Sequence, residues 1–352
     1  MKIILFYTYN QSFLSAFFKE LALKLTECGH IINIVSLKES PDFLTITSNL
    51  TITILKKKNK WRDYISIFNL IKSQQPDVII SNFSYVNPSV LCGKLLGIKK
   101  NIVWFHTVTE AIKPNKKQIL MKSLFLKLAT KIIVNSDLLK NDIVKYYAIS
   151  EEKIVAVPFW SPLENNHFKH KSLEQNQFLK IGCPGRIEEF KNHQIIIESL
   201  ADISLPSAWK LYIAGNGDYE ENLKLKILKS KLEFNVKLLG VLDITEMEKF
   251  YQEMDLIILP SKFEAFGLVL IEALSMGCHV LVSKNFGALT YIKDQDFLNK
   301  YSFDPNDSND LKSKLQYIVY NSKDSTKYFK NIYKQYFQKE KIVAEVEAVI
   351  NI

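Results

Sequence analysis

Short apolar runs alternate with longer amphipathic stretches along most of this chain. Apolar runs bounded by turn residues predict buried strands, and the stretches between them predict helices. The predicted strands of the first half are Lys2–Tyr7, Ile31–Ser36, Ile52–Leu55, Val78–Ser81, Ile102–Phe105 and Lys131–Asn135, and those of the second half are Leu179–Gly185, Trp209–Ala214, Val236–Gly240, Leu256–Leu259 and His279–Ser283. This alternation predicts the α/β class, with parallel sheets covered by helices.

The alternation stops once, after Val157–Pro162, where the polar run Glu164–Gln177 shows no apolar period. Such a break predicts a domain boundary, and 352 residues suit two domains of ordinary size. We therefore expect a first domain over residues 1–162 and a second over 178–328. A helical pattern, rich in Lys and Tyr, follows to the end of the chain.

The most informative stretch is 256–283, which predicts strand, turn, helix and strand in succession. Its helical pattern starts at Phe266-Gly267 and ends at Gly277, a typical C-cap. The amides of Ala265, Phe266 and Gly267 would be unpaired first-turn donors, which suit an anion. The carboxylates of Glu264 and Glu272 suit hydroxyl groups instead. An anion beside hydroxyls describes a sugar nucleotide.

Glu264 and Glu272, with seven residues between them, resemble the E-x7-E signature of retaining GT-B glycosyltransferases, and the stretch is most similar to glycosyltransferase family 4. The resemblance implies a GT-B fold, with two Rossmann-like domains whose parallel sheets face across a cleft. It also implies that the last helix, 329–352, crosses back onto the first domain. Ala265, Phe266, Gly267 and Leu268 would lie along the donor, and Glu272 would bind its ribose.

Gly185-Arg186 ends a predicted strand, and Lys191-Asn192 follows five residues later. The four residues resemble the G-R…K-N motif of the same family, which implies that Arg186 and Lys191 hold the donor diphosphate. The physical requirement is clear, because a departing nucleoside diphosphate develops negative charge that cations stabilise.

Three further positions carry weaker signals. His106 follows the strand Ile102–Phe105, and the resemblance implies that it hydrogen-bonds the transferred sugar beside Glu264. A lone His is more often structural. Gly215-Asn-Gly217 resembles the family's G-x-G turn on the nucleotide side, although its primary role is a tight turn. Val241 falls where relatives contact the base through backbone groups.

Other features depart from the family or exclude alternatives. The first turn, Thr8–Ser12, has no glycine, so Asn10 or Ser12 would have to supply hydrogen bonds there.

Asp294-Gln295-Asp296 has the D-x-D form that holds metal in the other large glycosyltransferase fold, but it lies in a polar segment after all predicted strands. We therefore expect no metal site. The four cysteines are scattered, which predicts reduced thiols in a cytoplasmic protein.

Charge is distributed unevenly. Residues 1–160 contain 22 Lys and Arg against 11 Asp and Glu, whereas residues 161–352 contain 24 against 26. No nucleic-acid motif accompanies the basic half, so an anionic membrane surface is the preferred partner. Lys56–Arg62, which includes Trp61, and the basic amphipathic stretch Lys113–Lys131 are the candidate contacts. No run is long enough to span a membrane, and the N-terminus lacks a signal-peptide pattern.

We therefore predict a retaining, metal-independent hexosyltransferase that moves sugar from a nucleotide-diphosphate sugar to a glycan, lipid-linked or other cell-surface acceptor. The donor is a substrate rather than a cofactor, and a UDP-sugar is favoured over a GDP-sugar. The enzyme would be cytoplasmic, with peripheral contact to the membrane. Two alternatives stay open at this point: a GT-B-fold sugar-nucleotide epimerase, which needs no acceptor, and a non-catalytic glycosyltransferase-like partner subunit.

Overall fold

A computed structural model of the protein describes residues 1–163, 178–205, 208–321 and 326–352. The chain divides into two compact units, the first formed by Met1–Phe159 with Lys339–Ile352 and the second by Trp160–Gln338. The polar run 164–177, on which the sequence-based boundary depends, lies outside the described residues. The sequence-based domain ranges 1–162, 178–328 and 329–352 stay predictions.

The first unit is built on an eight-stranded sheet. Its strands are β1 Lys2–Phe6, β2 Ile31–Lys38, β3 Asp42–Thr47, β4 Leu50–Lys56, β5 Val78–Asn82, β6 Lys100–Phe105, β7 Lys131–Val134 and β8 Ile154–Ala156. The spatial order is β3-β4-β2-β1-β5-β6-β7-β8, and every pairing is parallel except that of β3 with β4. The strands that follow β1 in the chain are added on one side of it, and the strands from β5 onward are added on the other side. The order of strand addition therefore reverses between β1 and β5.

Helices pack on this sheet because most of them bury an apolar face. Most also begin at a side chain that caps the first turn. They are α1 Phe13–Glu27, α2 Lys60–Gln74, α3 Val86–Leu95, α4 Thr109–Ile112, α5 Lys116–Leu128 and α6 Asp137–Tyr147. Ser12, Asn59, Asn115 and Ser136 each accept a hydrogen bond from a first-turn amide of α1, α2, α5 and α6, respectively. The sheet residues between the helix layers are almost fully buried.

The second unit contains a six-stranded, wholly parallel sheet in the order β11-β10-β9-β12-β13-β14. Its strands are β9 Phe178–Pro184, β10 Ala208–Ala214, β11 Val236–Gly240, β12 Leu256–Leu259, β13 His279–Ser283 and β14 Ser302–Phe303. Its helices are α7 His193–Ala201, α8 Glu220–Lys229, α9 Ile244–Glu253, α10 Leu268–Met276, α11 Gln295–Tyr301, α12 Ser308–Asn321 and α13 Thr326–Tyr336. The direction of travel reverses between β9 and β12.

The final helix, α14 Lys339–Asn351, belongs to the first unit. Its Glu347 Oε1 lies 2.5 Å from His30 Nε2, and Lys339 forms an ion pair with Glu20 at 2.7 Å. The Lys100 ammonium donates to the Ile350 carbonyl at 2.8 Å. Residues 329–352 are thus two helices, α13 and α14, of which only the second joins the first unit.

All eleven predicted strands are present, with ends that differ by at most two residues. Three strands escaped the sequence pattern: β3, because it is exposed along its whole length, and β8 and β14, because they contain only three and two residues. The basic stretch Lys56–Arg62 extends from the end of β4 into the start of α2. Asn59 caps α2 there, so Trp61 lies in the first helical turn.

Gly215 marks a close crossing of two backbones in the second unit. The Gly185 amide donates to the Ala214 carbonyl at 2.9 Å, and the Gly215 amide donates to the Gly240 carbonyl at 2.7 Å. A Cβ on Gly215 would lie 2.0 Å from the Gly185 carbonyl oxygen, and its φ of +148° is one that other residues rarely adopt. Glycine is therefore required by backbone proximity as well as by conformation.

We expect Gly215→Ala to destabilise the second unit more than Gly240→Ala. Gly240 also has a positive φ, +73°, but nothing lies within 4 Å of its added Cβ. The Gly240 variant should therefore show only backbone strain of about 1–3 kcal/mol, whereas the Gly215 variant adds a steric clash. Urea unfolding followed by circular dichroism measures the difference, and equal midpoints for both variants would contradict it.

Candidate functional site

The second unit gathers the predicted residues at the carboxyl end of its sheet. The loop after β9 carries Arg186 and Lys191, and the loop after β12 carries Glu264. These two strands are neighbours, and the direction of the chain reverses between them. Ligands of open parallel sheets bind at such a reversal, outside the carboxyl ends of the strands. The sequence motifs and the sheet topology therefore identify the same place.

Backbone hydrogen bonds join these loops to one another. The Ile187 amide donates to the Asn216 carbonyl at 2.8 Å, which ties the β9 loop to the β10 loop. The Lys262 amide donates to the Phe190 carbonyl at 2.8 Å, which ties the β9 loop to the β12 loop. The Gly287 amide donates to the Glu264 carbonyl at 3.0 Å, which extends the network to the loop after β13.

The charged groups of the site are paired with each other. Lys191 Nζ lies 2.5 Å from Glu264 Oε2, and both side chains are largely buried. Arg186 Nη1 lies 2.5 Å from Glu188 Oε1, with the arginine side chain mainly exposed. Each cation that the sequence assigns to a diphosphate is therefore neutralised by a carboxylate in this structure.

Glu272 lies inside α10 and is only 2% exposed. Its Oε2 accepts a hydrogen bond from the Tyr251 hydroxyl at 2.7 Å, and no described residue bonds Oε1. Burial raises the pKa of Glu272 to about 7, although the Tyr251 bond opposes the shift. The carboxyl group therefore titrates close to physiological pH and retains one oxygen for a further hydrogen bond.

The turn before α10 is fixed from both sides. Gly267 has φ +95°, and an added Cβ would lie 2.2 Å from the Phe286 ring. Phe266 is buried beside the rings of Tyr291 and Phe337, and its carbonyl accepts the Ala288 amide at 2.9 Å. Ala265 and Leu268 are half-buried on either side of this pair. The first turn of α10 is thus held with its N-terminal amides at the carboxyl end of the sheet.

Two weaker predictions also lie at this end of the sheet. Gly215 follows β10 at the backbone crossing described above, and Val241 follows β11 with its side chain exposed. Asp294 and Asp296 lie elsewhere: Asp294 caps α11, and Asp296 pairs with Lys300 at 2.8 Å. This segment begins α11, and the short strand β14 follows it. Among the described residues, no cluster of three or more His, Cys, Asp or Glu could hold a metal.

His106 follows β6 in the first unit and is held on both sides. Its Nε2 lies 2.8 Å from Asn82 Oδ1, and its Nδ1 lies 2.9 Å from Asn135 Oδ1. Asn82 ends β5, and its Nδ2 donates to the Phe6 carbonyl at 3.0 Å, so it bridges the strands between which the sheet reverses. The imidazole also stacks on Phe83, with 4.5 Å between ring centroids.

These contacts determine the tautomer of His106. Burial lowers the pKa of His106 to about 3, so the ring is neutral and carries one N–H. The Phe6 bond orients Asn82 so that its oxygen faces Nε2, which must therefore carry the proton.

The glycine-free turn Thr8–Ser12 is stabilised by its own side chains. Ser12 Oγ accepts the Ser15 amide as the cap of α1 and donates to Asn10 Oδ1 at 2.6 Å. The Asn10 amide donates to Ser15 Oγ at 3.1 Å. The two groups that the sequence suggested as ligand donors thus contact each other, and no residue of this turn needs a positive φ.

Sequence reasoning missed several partners of the predicted residues. Asn82 and Asn135 lie at or just after strand ends, so the rule that sites form at these ends could have found them. Glu188 is only two residues from Arg186. Tyr251 lies on α9, 21 residues from Glu272, and no local signal connects the two.

Two protein-family models match this chain. The family model described as "Glycosyl transferases group 1" matches residues 164–335, and that described as "Glycosyltransferase Family 4" matches residues 14–159. The O-antigen biosynthesis glycosyltransferase WclY of Escherichia coli is 25% identical over 95% of this chain and 92% of its own. An N-acetylgalactosaminyltransferase of Campylobacter jejuni, named for a diphospho-undecaprenol acceptor, is 28% identical over 60% of this chain and 59% of its own.

Among solved structures, Anabaena HepE in complex with UDP and glucose superposes with a TM-score of 0.77, at 15% identity, over 100% of this chain and 99% of that one. Both units here are Rossmann-like, as in GT-B glycosyltransferases. One family model matches most of each unit, and together they extend over nearly all of the sequence. The chain therefore belongs to the glycosyltransferases, with a Family 4 segment in its first unit and a group 1 segment in its second.

Proposed function

We propose that this glycosyltransferase transfers a sugar from a nucleotide-diphosphate sugar with retention of anomeric configuration and without a metal ion. The observation that carries the proposal is the convergence of Arg186, Lys191 and Glu264 at the reversal point of the second sheet. Two cations and a carboxylate at that place fit a diphosphate next to a hydroxylated sugar.

In this proposal, Arg186 and Lys191 stabilise the departing nucleoside diphosphate. Negative charge grows on the leaving oxygen as the glycosidic bond breaks, and nearby cations lower the energy of that state. The amides of Phe266 and Gly267 lie immediately before α10, where the positive end of the helix dipole adds to the attraction for an anion. A UDP-sugar is the first donor to test, since the same fold binds UDP in HepE.

The remaining residues bind hydroxyl groups. Glu272 offers its unbonded Oε1 to the ribose, while Glu264 contacts the transferred sugar. His106 is neutral, so it acts as a hydrogen-bonding group and not as a cation. Gly215 and Val241 would line the nucleotide through backbone atoms.

The acceptor in this proposal is a glycan or lipid-linked sugar of bacterial surface-polysaccharide assembly. Two relatives support it: WclY is named for O-antigen biosynthesis, and the Campylobacter jejuni enzyme for a diphospho-undecaprenol acceptor. The enzyme would work in the cytoplasm, at the inner face of the membrane. In the part of the chain that the structure describes, no helix is both long and apolar enough to cross a bilayer.

The surface of α5 supports a peripheral membrane contact. Leu120 is 61% exposed and Leu124 is 52% exposed on this helix, which also carries the exposed lysines Lys116, Lys117 and Lys127. Exposed leucines beside lysines fit the interface of an anionic bilayer. Trp61, in the first turn of α2, is an exposed aromatic residue among cations and forms the second candidate contact.

The first experiment compares Arg186→Ala with Glu188→Gln in titrations with UDP and GDP. Arg186→Ala should weaken the nucleotide that binds by roughly tenfold or more, because it removes a charge-assisted bond to phosphate. Glu188→Gln should instead strengthen binding a few-fold, since the diphosphate no longer competes with Glu188 for Arg186. Unchanged affinity in both variants would contradict the assigned diphosphate site.

Nucleotide-sugar binding should depend on the ionisation of Glu272. Its pKa of about 7 means that affinity rises between pH 6 and pH 8, as the carboxylate becomes a better acceptor for ribose, by at most roughly tenfold. A nucleotide sugar is the appropriate probe, because its two phosphates do not titrate in this range. Glu272→Gln should remove the dependence, and an unaltered pH profile in that variant would count against the ribose contact.

Vesicle co-sedimentation tests the membrane contact. Wild-type protein should bind vesicles that contain phosphatidylglycerol more than neutral ones, and Leu120→Ser/Leu124→Ser should reduce this binding. The matched control is Leu225→Ser/Leu228→Ser on α8, where the leucines are 55% and 58% exposed in the second unit. Equal loss in both double variants would show that α5 has no special role.

A further inference from the structure

A cavity of about 330 Å³ lies wholly within the first unit, where β6 ends beside α4 and α5. Its walls are mainly apolar and include Phe83, Trp104, Phe105, Ile112 and Pro114. The polar side chains that line it are His106, Thr107, Gln118 and Lys122, with the Tyr147 ring nearby. Since His106 is neutral, Lys122 is the single cation among these lining residues.

Lys122 differs from the other lysines of α5. Lys116, Lys117 and Lys127 are exposed, whereas Lys122 is half-buried against the cavity. Its ammonium lies over the Phe105 ring, 5.4 Å from the centroid. Burial lowers the pKa of Lys122 to about 8, because water is partly excluded from the charged ammonium.

Lys122 has no carboxylate partner in the described ranges, and no ion pair or hydrogen bond involves it there. The carboxylates of the adjoining elements serve other groups. Asp142 accepts the Thr109 hydroxyl at 2.6 Å, and Glu110 accepts the Tyr146 hydroxyl at 2.9 Å. Lys191 of the second unit, in contrast, is buried together with Glu264.

An ammonium that is removed from water without a counter-ion is unfavourable, and contact with one aromatic ring offsets only part of that loss. A lysine that merely packs its stem on an apolar wall keeps its charged end in water. Lys122 instead directs its charge to a cavity with apolar walls. An anionic group that entered this cavity would supply the missing counter-charge in a poorly solvated setting, where the attraction is strong.

The other polar groups of the cavity suit a sugar. The Thr107 hydroxyl forms no hydrogen bond within the described residues, and Gln118 uses only its Oε1, which accepts the Asn115 amide at 2.9 Å. One hydroxyl and one amide NH2 group thus remain for sugar hydroxyls. Flat aromatic walls pack against the apolar face of a sugar ring.

We propose that Lys122 binds an anionic oxygen group, a carboxylate or a phosphate, on the acceptor sugar. This inference rests on the proposed transfer function and adds the chemical class of its acceptor. The aromatic walls hold the sugar ring, and Thr107 and Gln118 bond its hydroxyls. Lys122 is a binding residue that selects charged acceptors over neutral ones.

Competitive acetylation of wild-type protein tests the proposal. Limited acetic anhydride at pH 8 modifies accessible amines, and peptide mass spectrometry quantifies each lysine separately. Glucuronate, glucose 1-phosphate and neutral glucose are the three probes. Glucuronate or glucose 1-phosphate should slow modification of Lys122 at least about fivefold, while exposed Lys117 should be unaffected. The more protective probe identifies the anion as carboxylate or phosphate.

Substitutions provide the second measurement, made by calorimetric titration with the protective sugar. Lys122→Met keeps the packing of the stem and should weaken binding roughly tenfold or more, whereas Lys122→Arg should retain most of it. Lys117→Met is the control on the exposed side of the same helix and should change nothing.

The proposal is overturned if neither anionic sugar protects Lys122, or if neutral glucose protects it equally. Equal affinities of Lys122→Met and wild type would also overturn it. Failure of the proposed function gives a different result: no nucleotide binds the second unit, whatever happens at Lys122. If a nucleotide binds but neither anionic sugar protects Lys122, the proposed anion contact of Lys122 is wrong and the proposed transfer function is unaffected.

Discussion

The candidate donor site depends on the backbone hydrogen bonds that fasten the loops at the carboxyl end of the second sheet. Bonds from Ile187 to Asn216, from Lys262 to Phe190 and from Gly287 to Glu264 join four consecutive strand ends. They fix the loops before any ligand arrives, so the side chains of Arg186, Lys191 and Glu264 start near one another. The absence of a side chain at Gly215 permits the close approach of the Gly185 carbonyl in the same region.

The cationic side chains on these loops are already paired with carboxylates. Lys191 is paired with Glu264 and Arg186 with Glu188, so the unliganded site avoids a buried, uncompensated cation. In the proposed function, a diphosphate would compete with two carboxylates for these cations. In the first unit the opposite arrangement holds, since Lys122 lines its cavity without a carboxylate partner among the residues that the structure describes. The two units would thus recognise anions differently, one by exchange of partners and the other by direct compensation.

The sequence predicted the parallel α/β fold correctly because buried parallel strands are short, continuous apolar runs such as Leu256–Leu259. It failed where strands are exposed, as in β3, or only two or three residues long. Arg186, Lys191 and Glu264 lie at the same edge of the second sheet because each is in a loop that follows a strand end. The sequence could not reveal Tyr251 as the partner of Glu272, or the burial of Lys122, because both depend on contacts between elements distant along the chain.

The central claim is that Arg186 and Lys191 hold a nucleoside diphosphate without a metal ion. Thermal unfolding with UDP, GDP and their common sugar conjugates, in excess EDTA, tests it most directly. A ligand at a hundred times its Kd should add about 2.7 kcal/mol of stability, which gives a measurable rise in Tm. We expect such a rise with one nucleotide class in EDTA. No rise with any of them, or a rise that appears only when a divalent metal is restored, would contradict it.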